Sequence, residues 1–158
     1  MKWINRVPQL CLLILLGLSA NFAYGGSWQQ NVSIGGFNKV HIYTPDSDSQ
    51  IGQGKSLLIV LHGCVQPINN YLTANLEQAA EAHGMVIAVP DAMNKAGYSC
   101  WSYWQGSINR SSADYKNLIN LANTMSGDSQ RNIDPKQVYI AGLSSGAAMA
   151  AQTACVAP

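Results

Sequence analysis

Gly142-Leu143-Ser144-Ser145-Gly146 fits the pattern G-x-S-x-G. Its chemistry would be nucleophilic attack on an acyl carbon. A strand that turns sharply into a helix holds the central residue in a strained backbone conformation and pushes its hydroxyl out at the C-terminal edge of a sheet. The flanking glycines remove side chains that would collide in so tight a turn. At a helix N-terminus, charge emerging on the oxygen meets the positive end of the helix dipole. A bare pentapeptide of this kind is a weak signal, and a Gly/Ser turn without chemistry is the alternative. Context strengthens it: an apolar run, Val138 to Ala141, precedes the motif, and Ala147, Ala148, Ala150 and Ala151 follow. Small residues there let a helix pack close to a sheet.

An acyl intermediate also needs donors for its oxyanion. One is the backbone N–H of Ser145, the residue after the nucleophile. The second belongs to the loop after an earlier buried strand, which here reads Leu61-His62-Gly63-Cys64. His62 at that place reads as a structural residue that orients the loop, with a catalytic base as the alternative.

Elements able to position these groups are visible in the hydrophobic pattern. Lys39 to Tyr43 alternates and reads as an edge or half-buried strand; Ser56 to Leu61, Met85 to Val89 and Val138 to Ala141 read as buried strands. Tyr71 to His83 has helical spacing, with Gly84 as a natural stop. A second helix begins near Ser112, its periodic positions being Tyr115, Leu118, Ile119, Ala122 and Met125, with Ser111 and Asp114 as a cap. Ser145 to Cys155 is a small-residue helix. Residues 26 to 37 read as a loose lead-in, Asp46 to Lys55 as a turn-rich linker and Ala92 to Arg110 as a long loop. Buried strands alternating with amphipathic helices predict an α/β fold around a mostly parallel sheet with flanking helices.

Composition narrows the function classes. The 158 residues carry nine Lys plus Arg against eight Asp plus Glu, with 47% apolar and 11% charged residues. That is neither a disordered chain nor one with the basic excess that a nucleic-acid binder needs. The three histidines and scattered cysteines have no metal-ligand spacing, and hydrolysis by a serine needs no cofactor, so neither metal nor cofactor is expected.

Leu61-His62-Gly63-Cys64, Cys100-Trp101-Ser102-Tyr103-Trp104 and Gly142-Leu143-Ser144-Ser145-Gly146-Ala147-Ala148-Met149, in that order, resemble the polyhydroxybutyrate depolymerase family of secreted serine esterases, with feruloyl and acetylxylan esterases as relatives. The resemblance runs from about Tyr43 to Pro158. It implies an α/β-hydrolase fold, a polyester or related ester substrate, Ser144 as nucleophile and the Cys64 backbone as the second oxyanion donor. It also implies that Trp101 lies beside the substrate, with Trp104 in a similar aromatic position, and that Cys64 and Cys100 form a disulfide. Core packing is the alternative for both tryptophans.

The triad of such enzymes runs Ser, then Asp or Glu, then His. The fourteen residues after Ser144 contain no Asp, Glu or His; the last acid is Asp134, and the histidines are His41, His62 and His83. The expectation is therefore a chain holding the N-terminal portion of one esterase domain (residues 26–158), weakly active or inactive by itself. Its Val138 strand would be exposed at the sheet edge, making the chain prone to self-association. The missing acid and base would come from a second chain of a split esterase, or be lost altogether, leaving a polymer-binding module. A thiol mechanism through Cys64 or Cys100 is a further, weaker reading.

The first 25 residues read as a signal peptide. Lys2 and Arg6 precede an apolar run from Leu10 to Leu18, and small residues follow up to Gly25. The run is too short to span a membrane, so no membrane association is expected after cleavage behind Gly25, and the product is extracellular or periplasmic. An uncleaved anchor is the alternative. Cys11 leaves with the leader, and the odd count of three leaves one cysteine without an intramolecular partner, which is Cys155 if Cys64 and Cys100 pair as the resemblance implies.

Overall fold

The computed structural model describes residues 25–158; the signal-peptide reading falls almost wholly on residues 1–24, outside that range. Five strands form a mixed sheet in the order β1-β2-β4-β3-β7: β1 (Ser27–Ile34), β2 (Phe37–Thr44), β3 (Lys55–Leu61), β4 (Met85–Pro90) and β7 (Ile133–Gly142). β4, β3 and β7 run parallel, and β2 and β1 extend the sheet antiparallel. A two-stranded ribbon, β5 (Lys95–Ala96) with β6 (Cys100–Trp101), stands apart from it. The helices are α1 (Leu76–His83), α2 (Ala113–Gly127) and α3 (Ser145–Val156).

Successive strand residues point to opposite faces, so a strand covered on both sides feeds two cores. Leu57, Ile59 and Leu61 of β3 and Val86 and Ala88 of β4 pack with Leu118, Leu121 and Met125 of α2 and Met149 of α3. On the other face Ile87 and Val89 pack with Tyr43, Ala80 of α1 and Ile68. β2 belongs to both cores: Val40 and Ile42 serve the first, Tyr43 the second. Its reading as an edge or half-buried strand therefore needs correction. The residues taken as a loose lead-in fold as β1, which pairs with β2 from Ser27↔Thr44 to Ile34↔Phe37 and so makes β2 internal. The inward apolar residues of β1, Trp28, Val32 and Ile34, are only half-buried and are separated by the polar Gln29-Gln30-Asn31 stretch, which is why composition suggested a loop.

Three further expectations change. The helix expected over 71–83 is broken: residues Ile68–Thr73 form a 3-10 turn, Asn75 is left-handed at φ 54°, and α1 starts only at Leu76. Gly84, also left-handed, closes α1 as expected. The long loop contains β5 and β6. The Ser111–Asp114 cap does not form. α2 starts after Ser112 without a side-chain cap bond, and Asp114 is buried, accepting from Asn94 N (2.9 Å), Asn94 Nδ2 (3.0 Å) and Asn117 Nδ2 (3.1 Å). It fastens the loop after β4 to α2. β7 is longer than the expected run and occupies the sheet edge, with Tyr139 exposed. Among the described residues no helix is long and apolar enough to cross a membrane.

Candidate active site

At the end of β7 the chain makes the turn that the motif requires. Leu143 N donates to Leu61 O at 3.0 Å, which fixes the turn to the end of β3. Ser144 then sits at φ 56°, ψ −120°, and α3 begins at Ser145. That conformation is costly for a residue with a side chain. The glycines on either side explain how it is held. A Cβ at Gly146 would lie 2.5 Å from the carbonyl oxygens of both Leu61 and His62, and one at Gly142 would strike the Gly146 backbone. Only glycine at 146 lets the start of α3 press against the end of β3. Ser144 remains exposed at the C-terminal edge of the parallel strands.

The loop after β3 comes up beside it. A Cβ at Gly63 would be 3.4 Å from Ser144 Cβ, so backbone faces Ser144 there. Gly63 N donates to Gln66 Oε1 at 2.8 Å. Among the described residues, neither the Cys64 nor the Ser145 backbone N–H donates to a protein acceptor. These are the two donors expected for an oxyanion. Cys64 is joined to Cys100 by a disulfide, and Val65 N donates to Tyr98 O at 2.8 Å. Ser145 Oγ accepts from Trp101 N at 3.3 Å. The aromatic segment is thus tied to both the oxyanion loop and the first turn of α3. The disulfide also removes Cys64 and Cys100 as thiol nucleophiles; Cys155 is free and exposed.

His62 is buried. Its Nδ1 donates to Gly63 O (2.8 Å), and its Nε2 accepts from Ala92 N (3.3 Å). Burial holds its pKa below the ordinary histidine value, against opposing contributions from Gly63 O and Asp91. The Asp91 carboxylate, 3.6 Å from Nε2, is therefore not an ion-pair partner of this neutral ring; it pairs with Lys95 at 2.8 Å. His62 orients the loop, and a cavity of about 530 Å³ lined by His62, Gln66, Asp91 and Lys95 lies beside it without reaching Ser144. His41 is buried between Asn31 N and Asn69 Oδ1. His83 ends α1 at the opposite edge of the sheet from Ser144, where β4 starts; the seven residues of β3 make that separation about 20 Å. Asp134 sits in the turn that starts β7, also at that far edge, accepting from Gln53 N and Lys136 N. None of these groups bonds to Ser144.

Trp101 is fully buried, with its ring centroid 5.2 Å from that of His62 and 6.1 Å from that of Phe37. It therefore presents no exposed surface in this structure and packs in the core. Trp104 is 53% exposed and stands edge-on to Tyr103. Gln66 and the Ser145 hydroxyl, which order the two halves of the site, were not singled out from sequence. Gln66 lies only three residues beyond Gly63, and nothing but its polarity marks it.

A mixed sheet with flanking helices, and a serine elbow at the C-terminal edge of its parallel strands, define an α/β-hydrolase. The profile of the family Esterase PHB depolymerase matches residues 41–158, and the chain belongs to that family. It is 34% identical over 165 aligned residues to a poly(3-hydroxybutyrate) depolymerase of Ralstonia pickettii, spanning 94% of this chain and 34% of that protein. A poly(3-hydroxyalkanoate) depolymerase C of Paucimonas lemoignei is 26% identical over 104 residues, 65% of this chain and 25% of that one. Among solved structures, an acetyl xylan esterase from Aspergillus awamori superposes with a TM-score of 0.67 at 22% identity, covering 84% of this chain and 48% of that chain. The chain thus spans about a third or less of the depolymerases it matches.

Proposed function

We propose that this chain carries the nucleophile and oxyanion donors of a secreted serine esterase acting on poly(3-hydroxybutyrate) or a similar polyester. Ser144 Oγ attacks the ester carbonyl, and the Cys64 and Ser145 N–H groups receive the oxyanion. The C–O bond to the alcohol breaks, the alcohol leaves with a proton, and water then releases the acid from Ser144. One observation carries this reading: an exposed serine at φ 56°, ψ −120° beside two unpartnered backbone donors. The polyester is favoured over a feruloyl or acetyl sugar ester by the names of the two depolymerase relatives.

The proton acceptor comes from polypeptide outside these 158 residues, as a continuation or a second chain. The engagement of His41 and His62 elsewhere and the remoteness of His83 support that. A polymer-binding module without catalysis has less support, because burial of Trp101 leaves Trp104 as the exposed member of the pair. The Cys64–Cys100 disulfide favours an oxidising compartment, and so export behind a leader ending at Gly25.

Hydrolysis of p-nitrophenyl butyrate tests the reading. The chain alone should turn over several orders of magnitude below an ordinary esterase. Added imidazole should raise the rate of the parent above that of Ser144→Ala treated identically. Equal rates for parent and Ser144→Ala under both conditions would refute a serine nucleophile. Fast turnover without imidazole, lost in Ser144→Ala, would refute the missing base.

A further inference from the structure

Far from the nucleophile, one carboxylate gathers an unusual number of donors. Glu81 Oε1 accepts from Gly26 N (3.0 Å), Tyr43 Oη (2.9 Å) and Asp46 N (3.3 Å), and Oε2 accepts from Asp46 N (3.2 Å) and Ser47 N (3.4 Å). Burial would raise its pKa, but the bonds from Tyr43, Asp46, Ser47 and Gly26 outweigh that and hold it below the usual range, so the group is charged. No cation pairs with it among the described residues. The nearby Lys55 Nζ is committed to Ser47 O (2.6 Å), Asp46 O (3.3 Å) and Asp48 Oδ1 (3.0 Å). The other charged or titratable groups facing this corner are the Asp46 carboxylate, the Tyr43 hydroxyl and Glu77, which accepts from Trp28 Nε1 at 2.7 Å. The corner therefore has an excess of negative charge around the backbone nitrogen of residue 26.

We propose that Gly26 is the N-terminus of the mature protein and that its α-ammonium is seated on the Glu81 carboxylate. The proposal rests on the reading of residues 1–25 as a leader. A leader-cleaving protease would add water across the Gly25–Gly26 peptide bond, leaving the hydroxyl on the Gly25 carbonyl carbon. The proton goes to Gly26 N, which takes up a second at neutral pH. A neutral amide that donates one hydrogen bond thereby becomes a cation with three donors, already 3.0 Å from a carboxylate oxygen. Thr44 O is a further acceptor at hand: a Cβ on Gly26 would strike it, as well as Glu81 Oε1 and Tyr43 Oη at 2.6 Å each. A Cβ on Gly25 would run into the Asp46 carboxylate. Glycine at 26 thus satisfies the seat, where a side chain would meet the Thr44 carbonyl, and glycine on both sides of the bond fits the small-residue pattern of a cleavage site. Ser27, the next residue, opens β1 by pairing with Thr44, so the ion pair would fasten the edge strand at its first residue.

Two measurements test this. The full chain is expressed with its own leader in an export-competent bacterium, and the product is sequenced from its N-terminus. A start at Gly26 is expected. Cleavage at another bond overturns the proposal while leaving the leader reading intact, and a retained leader overturns both. On product starting at Gly26, NMR titration should find the α-amine about one pH unit above its ordinary value of about 7.7–8.0, and back at that value in Glu81→Gln. Chemical acetylation of Gly26 should lower the thermal midpoint of the parent, a readout that does not depend on Glu81→Gln folding. An unshifted amine, or a midpoint indifferent to acetylation, overturns the seat.

Discussion

Replacing Gly146 by Ala isolates the packing that makes the elbow. The new Cβ would lie 2.5 Å from the carbonyl oxygens of Leu61 and His62 and 2.8 Å from Leu61 C. All three are main-chain atoms at the end of β3, so no flexible side chain can swing away. The start of α3 must instead back off by close to an ångström, carrying Ser144 and its Leu143 tether with it. Overpacking of this kind costs about 1–3 kcal/mol, reduced by up to about 1 kcal/mol because Ala is the better helix former. We expect a net loss of about 1–2 kcal/mol, read as a lower denaturant midpoint in far-UV circular dichroism at unchanged slope, or a thermal midpoint lower by roughly 3–10 °C. Gly127→Ala is the internal control. It ends α2, has nothing within 4 Å of its would-be Cβ and adopts no left-handed φ, so the same chemical change there should be neutral or stabilising by up to about 1 kcal/mol. If Gly146→Ala matched Gly127→Ala, close approach of α3 to β3 would not be what the motif glycine provides.

Ser144→Gly should stabilise the fold by about 0.5–2 kcal/mol in the same melts while abolishing acyl transfer, because glycine relieves the φ 56° backbone at some cost in unfolded-state entropy; a destabilised variant would contradict the strain. For His62 the folded pKa is depressed by burial, so below about pH 6.5 the unfolded state binds more protons and stability is lost as pH falls, by up to about 1.4 kcal/mol per pH unit. Urea midpoints from pH 7.5 to 5.5 should show that loss, and His62→Gln should flatten it. Breaking the Cys64–Cys100 link, which closes a loop of sequence separation 36, should cost up to about 4 kcal/mol on replacement of both residues by Ala; a change under 1 kcal/mol would mean the loops are held by Val65–Tyr98 and Ser145–Trp101 alone. With β7 at the sheet edge, the isolated chain should self-associate on sedimentation as concentration rises, and a stable monomer would refute that.

The parallel core was legible because β3 and β4 are buried on both faces and read as unbroken apolar runs. The elbow was legible because its glycines are a steric necessity rather than a tendency. β1 was not, since the polar Gln29-Gln30-Asn31 stretch interrupts its half-buried apolar residues Trp28, Val32 and Ile34 and breaks the alternation. The α1 start was misplaced because Tyr71 does pack against a core, but from a 3-10 turn on the far side of a left-handed Asn75. Trp101 shows a related separation of backbone from side chain. Its backbone N–H does reach the first turn of α3, so the segment belongs to the site, yet its indole turns away into the core against His62 and Phe37. Motif spacing carries main-chain proximity and says little about which way a side chain points.

The arrangement around Ser144 separates two requirements that a complete hydrolase satisfies together. Holding a hydroxyl in a strained, exposed position depends on backbone: the Leu143–Leu61 bond, the Gly146 approach and the Ser145–Trp101 tie, all between elements present here. Lowering the cost of removing its proton depends on an imidazole, and each of the three here is either saturated by hydrogen bonds or on the wrong edge of the sheet. The first can therefore persist without the second, because the elbow's geometry is set by the close meeting of β3, β7 and α3 and not by any bond to Ser144 Oγ. The strain would then be carried whether or not catalysis occurs. That is why a stability gain in Ser144→Gly is expected of the isolated chain.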